Sequence, residues 1–292
     1  MRLRPFELIE PESLAAVGAA LAAADGDARV VAGGTALVPM LRLGVVRPGR
    51  VVSLHRVPAL AEIAANNGEL RLGAMATMAA IHRSAVVRDG WPLLAEAAGS
   101  VATPAIRSTA TIGGNLAYAE PASDPAPALC CLEATVDIAG AAGSRSLPVA
   151  RFLTGFYETA LEPAEVVAAV RIPAVPAGAR GGYVKFCPRS LEDKPLIGVA
   201  ALVTIDDRTG RCRDARIALG AAAPTAIRAA RAEAIVRDQA LDERAIRAAA
   251  EAAAAEADPL ADLMGSRDYR RRMVAVWVRR LLTSLAHREG RP

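Results

Sequence analysis

Two Gly-Gly turns, each preceded by apolar residues, constrain this chain more than any other feature. They occupy residues 32–35 (Ala-Gly-Gly-Thr) and residues 111–115 (Thr-Ile-Gly-Gly-Asn). Glycine has no Cβ, so backbone N–H groups in such a turn can approach a ligand closely, and consecutive N–H groups form a nest for an anion. A diphosphate is the anion that fits two such turns. Two tight turns without a ligand would need the same glycines, and Gly181-Gly182 shows that the pair also occurs elsewhere in the chain.

The composition excludes several classes of protein. A net charge of +4 suggests a nucleic-acid binder, but the basic residues are nearly all arginines scattered among acids, and aromatic residues make up only 3%. No basic stripe with stacking aromatics results, so no nucleic-acid partner is expected. The sequence begins with acids too early for a secretory signal, and no apolar run approaches about 18 residues, so no membrane span and a cytoplasmic location are expected.

Catalytic and metal-binding patterns are absent from the sequence. The four cysteines show no CxxC spacing, so no iron–sulfur or zinc site is predicted, and adjacent Cys130 and Cys131 are interpreted as buried thiols. The three histidines lie far apart, and the chain contains no GxGxxG, Walker or HExxH motif. We therefore predict neither catalytic side chains nor metal ligands in this chain.

Hydrophobic periodicity and turn residues divide the chain into three parts. The first is a small βαβ-like unit with a helix at 11–25, a strand at 29–32, an apolar segment at 36–43 and a strand at 51–54. The second has a strand at 70–74, a helix capped by Thr77 and reaching residue 84, a helix at 91–98, a strand or loop at 111–116, a long apolar stretch at 128–139, and a strand at 165–172.

Residues 173–182 are rich in proline and glycine and are the best candidate for a linker. Strands are predicted beyond it at 183–186, 198–206 and 215–220, followed by helices at 226–236, 242–257 and 266–286. Strands followed by helices indicate a separate α+β domain. The predicted boundaries are 1–56 for a first lobe, 57–175 for a second lobe and 176–292 for the C-terminal domain.

A proline-rich segment follows the second Gly-Gly turn and includes Asp124. The prolines fix an extended path, which would hold this carboxylate in place. A carboxylate beside a diphosphate nest is suited to accept hydrogen bonds from ribityl or ribose hydroxyls. Alternatively, Asp124 begins an Asx turn before Pro125.

Five segments together resemble the medium, FAD-binding subunit of the carbon monoxide dehydrogenase and xanthine dehydrogenase family. They are VVAGGTALVPMLRLGVVRPGRVVSL, TPAIRSTATIGGNLAYAEPASDPAPAL, YVKF, ARIALGAAAPTAIRA and DPLADLMGSRDYRRRMVAVWVRRLL, and they follow the family's order along essentially the whole chain. The resemblance implies an α+β protein with a two-lobed FAD-binding domain of the vanillyl-alcohol-oxidase (PCMH) type and an α+β C-terminal domain. FAD would lie between the two lobes.

The resemblance also implies which residues bind FAD. The first loop would be formed by Arg29, Val30, Val31, Ala32, Gly33, Gly34, Thr35, Ala36 and Leu37, and the second by Thr111, Gly113, Gly114, Asn115, Ala117 and Tyr118. Asp124 resembles the hydroxyl-binding acid, Val167 would line the pocket, and Lys185 resembles a lysine near the isoalloxazine. No residue is implied as catalytic, because a flavin carries the redox chemistry itself.

The family resemblance implies an oxidoreductase complex in which different subunits carry different redox centres. A small partner subunit would carry two [2Fe–2S] clusters, a large one would carry the molybdenum cofactor and hydroxylate the substrate, and the assembly would be a dimer of heterotrimers. This chain would pass electrons from the clusters through FAD to an external acceptor.

The sequence departs from the family pattern at Ala36, where Ser, Asp or Glu is frequent, at Tyr118, and in the loop at 189–195, which lies near the open side of the flavin in relatives. Ala36 and Tyr118 leave open a scaffold of the same fold that has lost FAD. A stand-alone flavin oxidoreductase of the same fold superfamily is a second alternative.

Overall fold

The first sheet is small and parallel. The computed structural model describes residues 4–206 and 208–287, so the outermost ends of the first and third predicted domains lie outside the described residues. Strands β1 (Glu7–Ile9), β2 (Ala28–Val31) and β3 (Arg50–Ser53) pair in the order β1-β3-β2, connected by helices α1 (Leu14–Ala22) and α2 (Leu37–Leu43). The predicted βαβ-like unit is therefore present, and the apolar segment at 36–43 forms a helix.

The second sheet has five strands in the order β4-β5-β10-β6-β7, with antiparallel neighbours. Its central strand lies at Glu165–Ile172 and is buried along most of its length, as its run of valines and alanines predicts. The elements of this part are β4 (Ile63–Asn66), β5 (Glu69–Gly73), α3 (Met78–Arg83), α4 (Ala85–Gly90), α5 (Pro92–Gly99), α6 (Pro104–Arg107), α7 (Ile112–Tyr118), α8 (Pro125–Cys131), β6 (Thr135–Gly140), β7 (Gly143–Pro148), α9 (Val149–Phe152), β8 (Leu153–Gly155), β9 (Glu158–Thr159) and β10 (Glu165–Ile172).

The third sheet is antiparallel and is followed by three helices. It contains β11 (Ala179–Phe186), β12 (Ile197–Ile205), β13 (Cys212–Gly220) and β14 (Ile227–Arg228), in that order, and the helices are α10 (Ala230–Val236), α11 (Glu243–Glu256) and α12 (Arg267–His287). The sheet has two buried faces, because Ala200 and Leu202 of β12 belong to the hydrophobic core of the N-terminal part, whereas Val199 and Val203 belong to the core formed with α10–α12.

Three details of the prediction are corrected by the structure. Residues 111–116 were expected as a strand or loop, but Thr111 caps helix α7 by accepting a hydrogen bond from the Gly114 amide at 3.2 Å. Gly181 and Gly182 were expected in the linker but belong to β11. A Cβ at Gly181 would lie 3.1 Å from the Leu202 side chain, so close packing explains this glycine. The third correction is that the helix expected from 226 begins at Ala230, since Ile227–Arg228 pairs with β13.

Within the described residues, no helix has the length and apolarity that crossing a membrane requires.

Candidate functional site

A cavity of about 640 Å³ lies where the two Gly-Gly loops meet. A volume of this size suits a small-molecule or cofactor site. Fifteen of the residues expected at the site line it: Arg29, Val30, Ala32, Gly33, Gly34, Thr35, Ala36, Leu37, Thr111, Gly113, Gly114, Asn115, Ala117, Tyr118 and Val167. Val31, Asp124 and Lys185 are not among the lining residues.

The two loops touch each other directly. A Cβ at Gly33 would lie 1.8 Å from the Thr109 carbonyl oxygen, and one at Gly114 would lie 3.5 Å from the Ala32 Cβ. Any side chain at Gly33 would therefore push the loops apart. The loops face one cavity because the chain backbones meet at positions where only glycine fits.

Backbone donors in the first loop are available to a ligand. Among the described residues, the N–H groups of Gly33, Gly34, Thr35 and Ala36 have no hydrogen-bond acceptor within the chain. Gly34 adopts a φ of 70°, in the left-handed region that lets successive N–H groups converge. This loop is a nest of four consecutive donors on the wall of the cavity, and it is suited to an anion such as a diphosphate.

In the second loop, backbone N–H groups donate hydrogen bonds to acceptors within the protein, which the sequence did not reveal. The Gly113 amide donates to the Ala74 carbonyl at 2.9 Å, and the Asn115 amide donates to the Thr111 carbonyl at 2.9 Å. The Asn115 side chain is oriented by the Ser123 hydroxyl, which donates to its Oδ1 at 2.7 Å. This loop therefore offers the cavity side chains and a rigid wall, whereas the first loop offers the nest.

Asp124 and Lys185 are paired with each other at the junction between the second lobe and the third sheet. Lys185 Nζ lies 3.2 Å from Asp124 Oδ2 and donates to the Ser100 carbonyl at 2.8 Å, and Tyr183 Oη donates to Asp124 Oδ1 at 2.8 Å. Both charged side chains are almost completely buried. Burial is the dominant effect on the carboxyl and raises the pKa of Asp124 to about 6, although Lys185 and Tyr183 act in the opposite direction. The same burial raises the pKa of the Tyr183 phenol well above its ordinary value.

An aromatic wall completes the cavity, and of its two tyrosines only Tyr118 was expected from the sequence. Tyr118 and Tyr157 both line the cavity, with ring centroids 5.1 Å apart. Tyr157 lies in the turn between β8 and β9, and no motif in the sequence distinguishes it. Eight further lining residues escaped prediction, and all of them except Glu165 are apolar: Met40, Val46, Leu54, Ala74, Ala110, Leu161, Glu165 and Val166.

One carboxylate also borders the cavity. Glu165 accepts hydrogen bonds from Arg145 Nε at 2.8 Å and from a second Arg145 nitrogen at 2.6 Å. This bidentate contact lowers the pKa of Glu165 and keeps it ionised. The acid therefore serves as a fixed anion and is unsuited to proton transfer near neutral pH.

The cysteines and histidines lie outside the cavity lining. Cys130 and Cys131 are buried, as interpreted from the sequence, and burial raises the pKa of the Cys130 thiol to about 11. His55 fixes the first loop from behind, with Nε2 3.0 Å from the Ala32 carbonyl oxygen. Throughout residues 4–206 and 208–287, no group of side chains suited to holding a metal ion is found.

Two family models together span nearly the whole chain. Residues 4–175 match the FAD binding domain in molybdopterin dehydrogenase, and residues 182–285 match the CO dehydrogenase flavoprotein C-terminal domain. The first match alone covers more than half of the 292 residues.

Similar proteins agree with these matches along their full lengths. The chain is 34% identical to the 6-hydroxypseudooxynicotine dehydrogenase complex subunit alpha of Paenarthrobacter nicotinovorans, covering 99% of this chain and 97% of the relative. It is 34% identical to the carbon monoxide dehydrogenase medium chain of Hydrogenophaga pseudoflava, covering 96% of each. A solved structure of carbon monoxide dehydrogenase from Hydrogenophaga pseudoflava superposes with a TM-score of 0.94 at 35% identity, covering 98% of both chains.

The match to the FAD-binding domain, the full-length relatives and a cavity faced by an anion nest lead to one conclusion. This chain belongs to the family of FAD-binding medium subunits of molybdenum hydroxylases, and it is a flavoprotein component of an oxidoreductase.

Proposed function

We propose that this chain is the electron-transfer subunit of a molybdenum hydroxylase complex and holds FAD in the cavity between the Gly-Gly loops. It takes electrons from [2Fe–2S] clusters on a small partner subunit and passes them to an external acceptor. Substrate hydroxylation belongs to a large molybdenum subunit, and the assembly is a dimer of heterotrimers. When bound, FAD supplies the ability to accept single electrons and to release a pair.

The nest of unpaired backbone donors carries this proposal. The amides of Gly33, Gly34, Thr35 and Ala36 would hold the diphosphate through backbone hydrogen bonds. An unsatisfied amide is costly once it is removed from water, so a ligand that covers this loop must supply acceptors. A diphosphate does so, and the apolar lining beyond it suits the planar rings of the cofactor.

The remaining predicted contacts divide into two groups. Asn115 and Val167, which both line the cavity, are proposed to contact FAD directly. Asp124 and Lys185 are occupied by each other, so we assign them to the junction between the second lobe and the third sheet. Their predicted contact with the cofactor is not favoured by this geometry.

The matches support partner subunits in general terms. The relatives are named as a medium chain and as a subunit of a complex. We propose that this subunit consists of a first lobe at 1–56, a second lobe at 57–175 and a C-terminal domain at 176–292. Each of the three contains one of the three main sheets. The cytoplasmic location stays a prediction.

Gly34 offers a sharp test of the cofactor site. In Gly34→Ala, we expect the affinity for FAD to fall at least about tenfold, because the new Cβ strains the turn at φ 70° and shifts the converging amides. Gly178→Ala is the matched control, since Gly178 adopts a φ of 72° with nothing within 4 Å of the new Cβ and lies in the linker.

Both variants are measured in the complex purified with its partner chains, by the flavin-to-protein ratio and by the dissociation rate of FAD. A complex without flavin would overturn the proposed function. Equal FAD affinity in the two variants would instead move the diphosphate away from the first loop.

A further inference from the structure

The aromatic wall is coupled to the loop between β11 and β12. Tyr157 Oη donates to Glu120 Oε2 at 2.7 Å, and the Lys194 ammonium pairs with the same oxygen atom. Glu120 follows α7 and its side chain is 12% exposed, whereas Lys194 comes from the third part of the chain and is 65% exposed. A single carboxylate oxygen therefore connects the cavity wall to the C-terminal domain.

The backbone at Tyr157 is held in an unfavourable conformation. Its φ is 58°, which a bulky residue adopts only when its surroundings impose it. The ring is fixed from two further sides, by Tyr118 and by Phe156, whose centroid lies 4.6 Å from that of Tyr157 in an edge-on contact. Burial, and after it the hydrogen bond to Glu120, raise the pKa of the Tyr157 phenol, so the hydroxyl stays a donor across the neutral range.

The partial exposure of this wall locates it at the mouth of the cavity. Tyr157 is 40% exposed and Phe156 is 52% exposed, although Tyr157 also lines the interior. The redox-active ring of a bound flavin must be reachable from outside by an electron donor and an acceptor, whereas the adenine has no such need. This requirement favours the isoalloxazine over the adenine as the ring that would lie beside Tyr157.

We propose that Tyr157 is a positioning residue that packs against the isoalloxazine. Glu120 and Lys194 hold the Tyr157 ring in place, so the loop at 187–196 of the C-terminal domain sets the shape of the cavity mouth. This inference rests on the proposed FAD site and adds a specific contact to it. It also gives a role to two departures from the family pattern, since Tyr118 supports the Tyr157 ring and Lys194 lies in the divergent loop.

Two substitutions at Tyr157 separate the ring from its hydroxyl. Tyr157→Asn removes the ring but suits a left-handed backbone better than tyrosine does, so the turn is retained. We expect FAD to dissociate about tenfold faster from this variant, because an aromatic contact is lost. Tyr157→Phe retains the packing, and FAD affinity should change by less than about threefold.

Fluorescence of the bound flavin gives a readout that a purely structural role would not alter. A tyrosine or tryptophan in contact with isoalloxazine quenches its emission, whereas phenylalanine does not. Emission should increase in Tyr157→Phe and return to the wild-type level in Tyr157→Trp.

Lys194→Met and Glu120→Gln test the connection to the loop. Each should speed FAD dissociation by up to about fivefold, since an exposed ion pair contributes little, and neither should add to the effect of Tyr157→Asn. Arg189→Met is the matched control, because Arg189 lies in the same loop and pairs at 3.4 Å with Asp193, away from the cavity. All variants are assayed in the assembled complex.

The outcomes distinguish this inference from the proposed function. A wild-type complex that lacks FAD overturns both. If the wild-type complex contains FAD, but Tyr157→Asn changes neither the rate of FAD dissociation nor the flavin emission, the inference alone is overturned. If Lys194→Met and Tyr157→Asn have additive effects on the rate of FAD dissociation, the loop at 187–196 does not act through Tyr157.

Discussion

At the scale of single residues, the buried pair of Asp124 and Lys185 shows how environment changes the chemistry of a side chain. Asp124 is ionisable, but its carboxyl is surrounded by protein and lies at the N-terminal end of α8, with Tyr183 and Lys185 as its partners. Burial outweighs both partners and raises the pKa of Asp124 to about 6. Between its ordinary pKa of 3.8 and the folded value of about 6, the folded protein therefore keeps a proton on this group that the unfolded chain releases.

The sign of the resulting pH dependence follows from linkage. Because the folded pKa of about 6 lies above the ordinary value of 3.8, the free energy of unfolding falls as pH rises through this window, by about 3 kcal/mol at most. Asp124→Asn lacks this titration. The unfolding free energy of the wild type minus that of Asp124→Asn should therefore decrease between pH 4 and pH 6 in urea titrations.

Asp206→Asn provides a control of opposite sign. Hydrogen bonds from Thr209 lower the pKa of Asp206, so its contribution to stability is present above its ordinary pKa and is lost as pH falls. The corresponding difference for Asp206→Asn should increase with pH at the acid end. A difference for Asp124→Asn that stays constant with pH would show that the carboxyl is not buried in solution.

At the scale of elements, helix α7 explains why the second Gly-Gly turn is rigid. Its cap, Thr111, is 3% exposed and pairs with Thr77 in an isolated β-bridge, while Ile112 donates to the Ala76 carbonyl at 3.0 Å. A Cβ at Gly113 would lie 2.5 Å from the Ala74 Cβ, so the helix starts in contact with the end of β5. The loop is held by its neighbours before any ligand is present.

The cap of α7 allows a paired test of structure against binding. Thr111→Val leaves the Gly114 amide without its acceptor, and Thr77→Val does the same to the Ala80 amide at the start of α3, where the bond is 3.1 Å. Each change should reduce the unfolding free energy by about 1 kcal/mol. Only Thr111 lines the cavity, so only Thr111→Val should also weaken FAD binding, as measured by flavin release. Equal FAD affinity in both variants would contradict a role for this loop.

At the scale of the whole molecule, the third sheet joins two hydrophobic cores. The Leu202 and Ala200 side chains belong to the hydrophobic core of the second lobe, where β12 packs against α8 and its neighbour β11 packs against α5. Alternate residues of β12 belong to the core formed with α10–α12. The Trp91 indole also donates to the Pro173 carbonyl at 2.8 Å, at the start of the linker. The C-terminal domain is therefore held to the FAD-binding lobes by burial as well as by the linker.

This arrangement predicts that the chain unfolds as one unit. Calorimetry should show one main transition, and Leu202→Ala should lower the free energy of unfolding by about 2 to 5 kcal/mol without splitting it, since Leu202 is 4% exposed. Leu263→Ala is a suitable control, because that side chain is fully exposed and should leave the stability unchanged within about 0.5 kcal/mol. Two resolved transitions in the wild type would contradict the shared core.

Much of the fold was predictable because its signals are local. The alternation of apolar residues and the Pro/Gly punctuation located most strands and helices to within a few residues, and Thr77 was recognised as a cap from its position alone. The errors occurred where tertiary contacts decided the outcome. The helix in residues 111–116 was missed because the pairing of Thr111 with its β-bridge partner exists only in three dimensions. Gly181 was missed as a strand residue because its packing against Leu202 cannot be read from the local sequence.

The sequence by itself determined the family, since the resemblance is confirmed by the matches, and it located the two glycine-rich loops that line the cavity. Only the tertiary structure decided which loop keeps its amides free, why Asp124 faces Lys185, and how Tyr157 and Lys194 meet at Glu120. The physical reason is distance along the chain. Propensity and periodicity depend on neighbouring residues, whereas burial, pairing and pKa depend on which distant segments the packed core brings together.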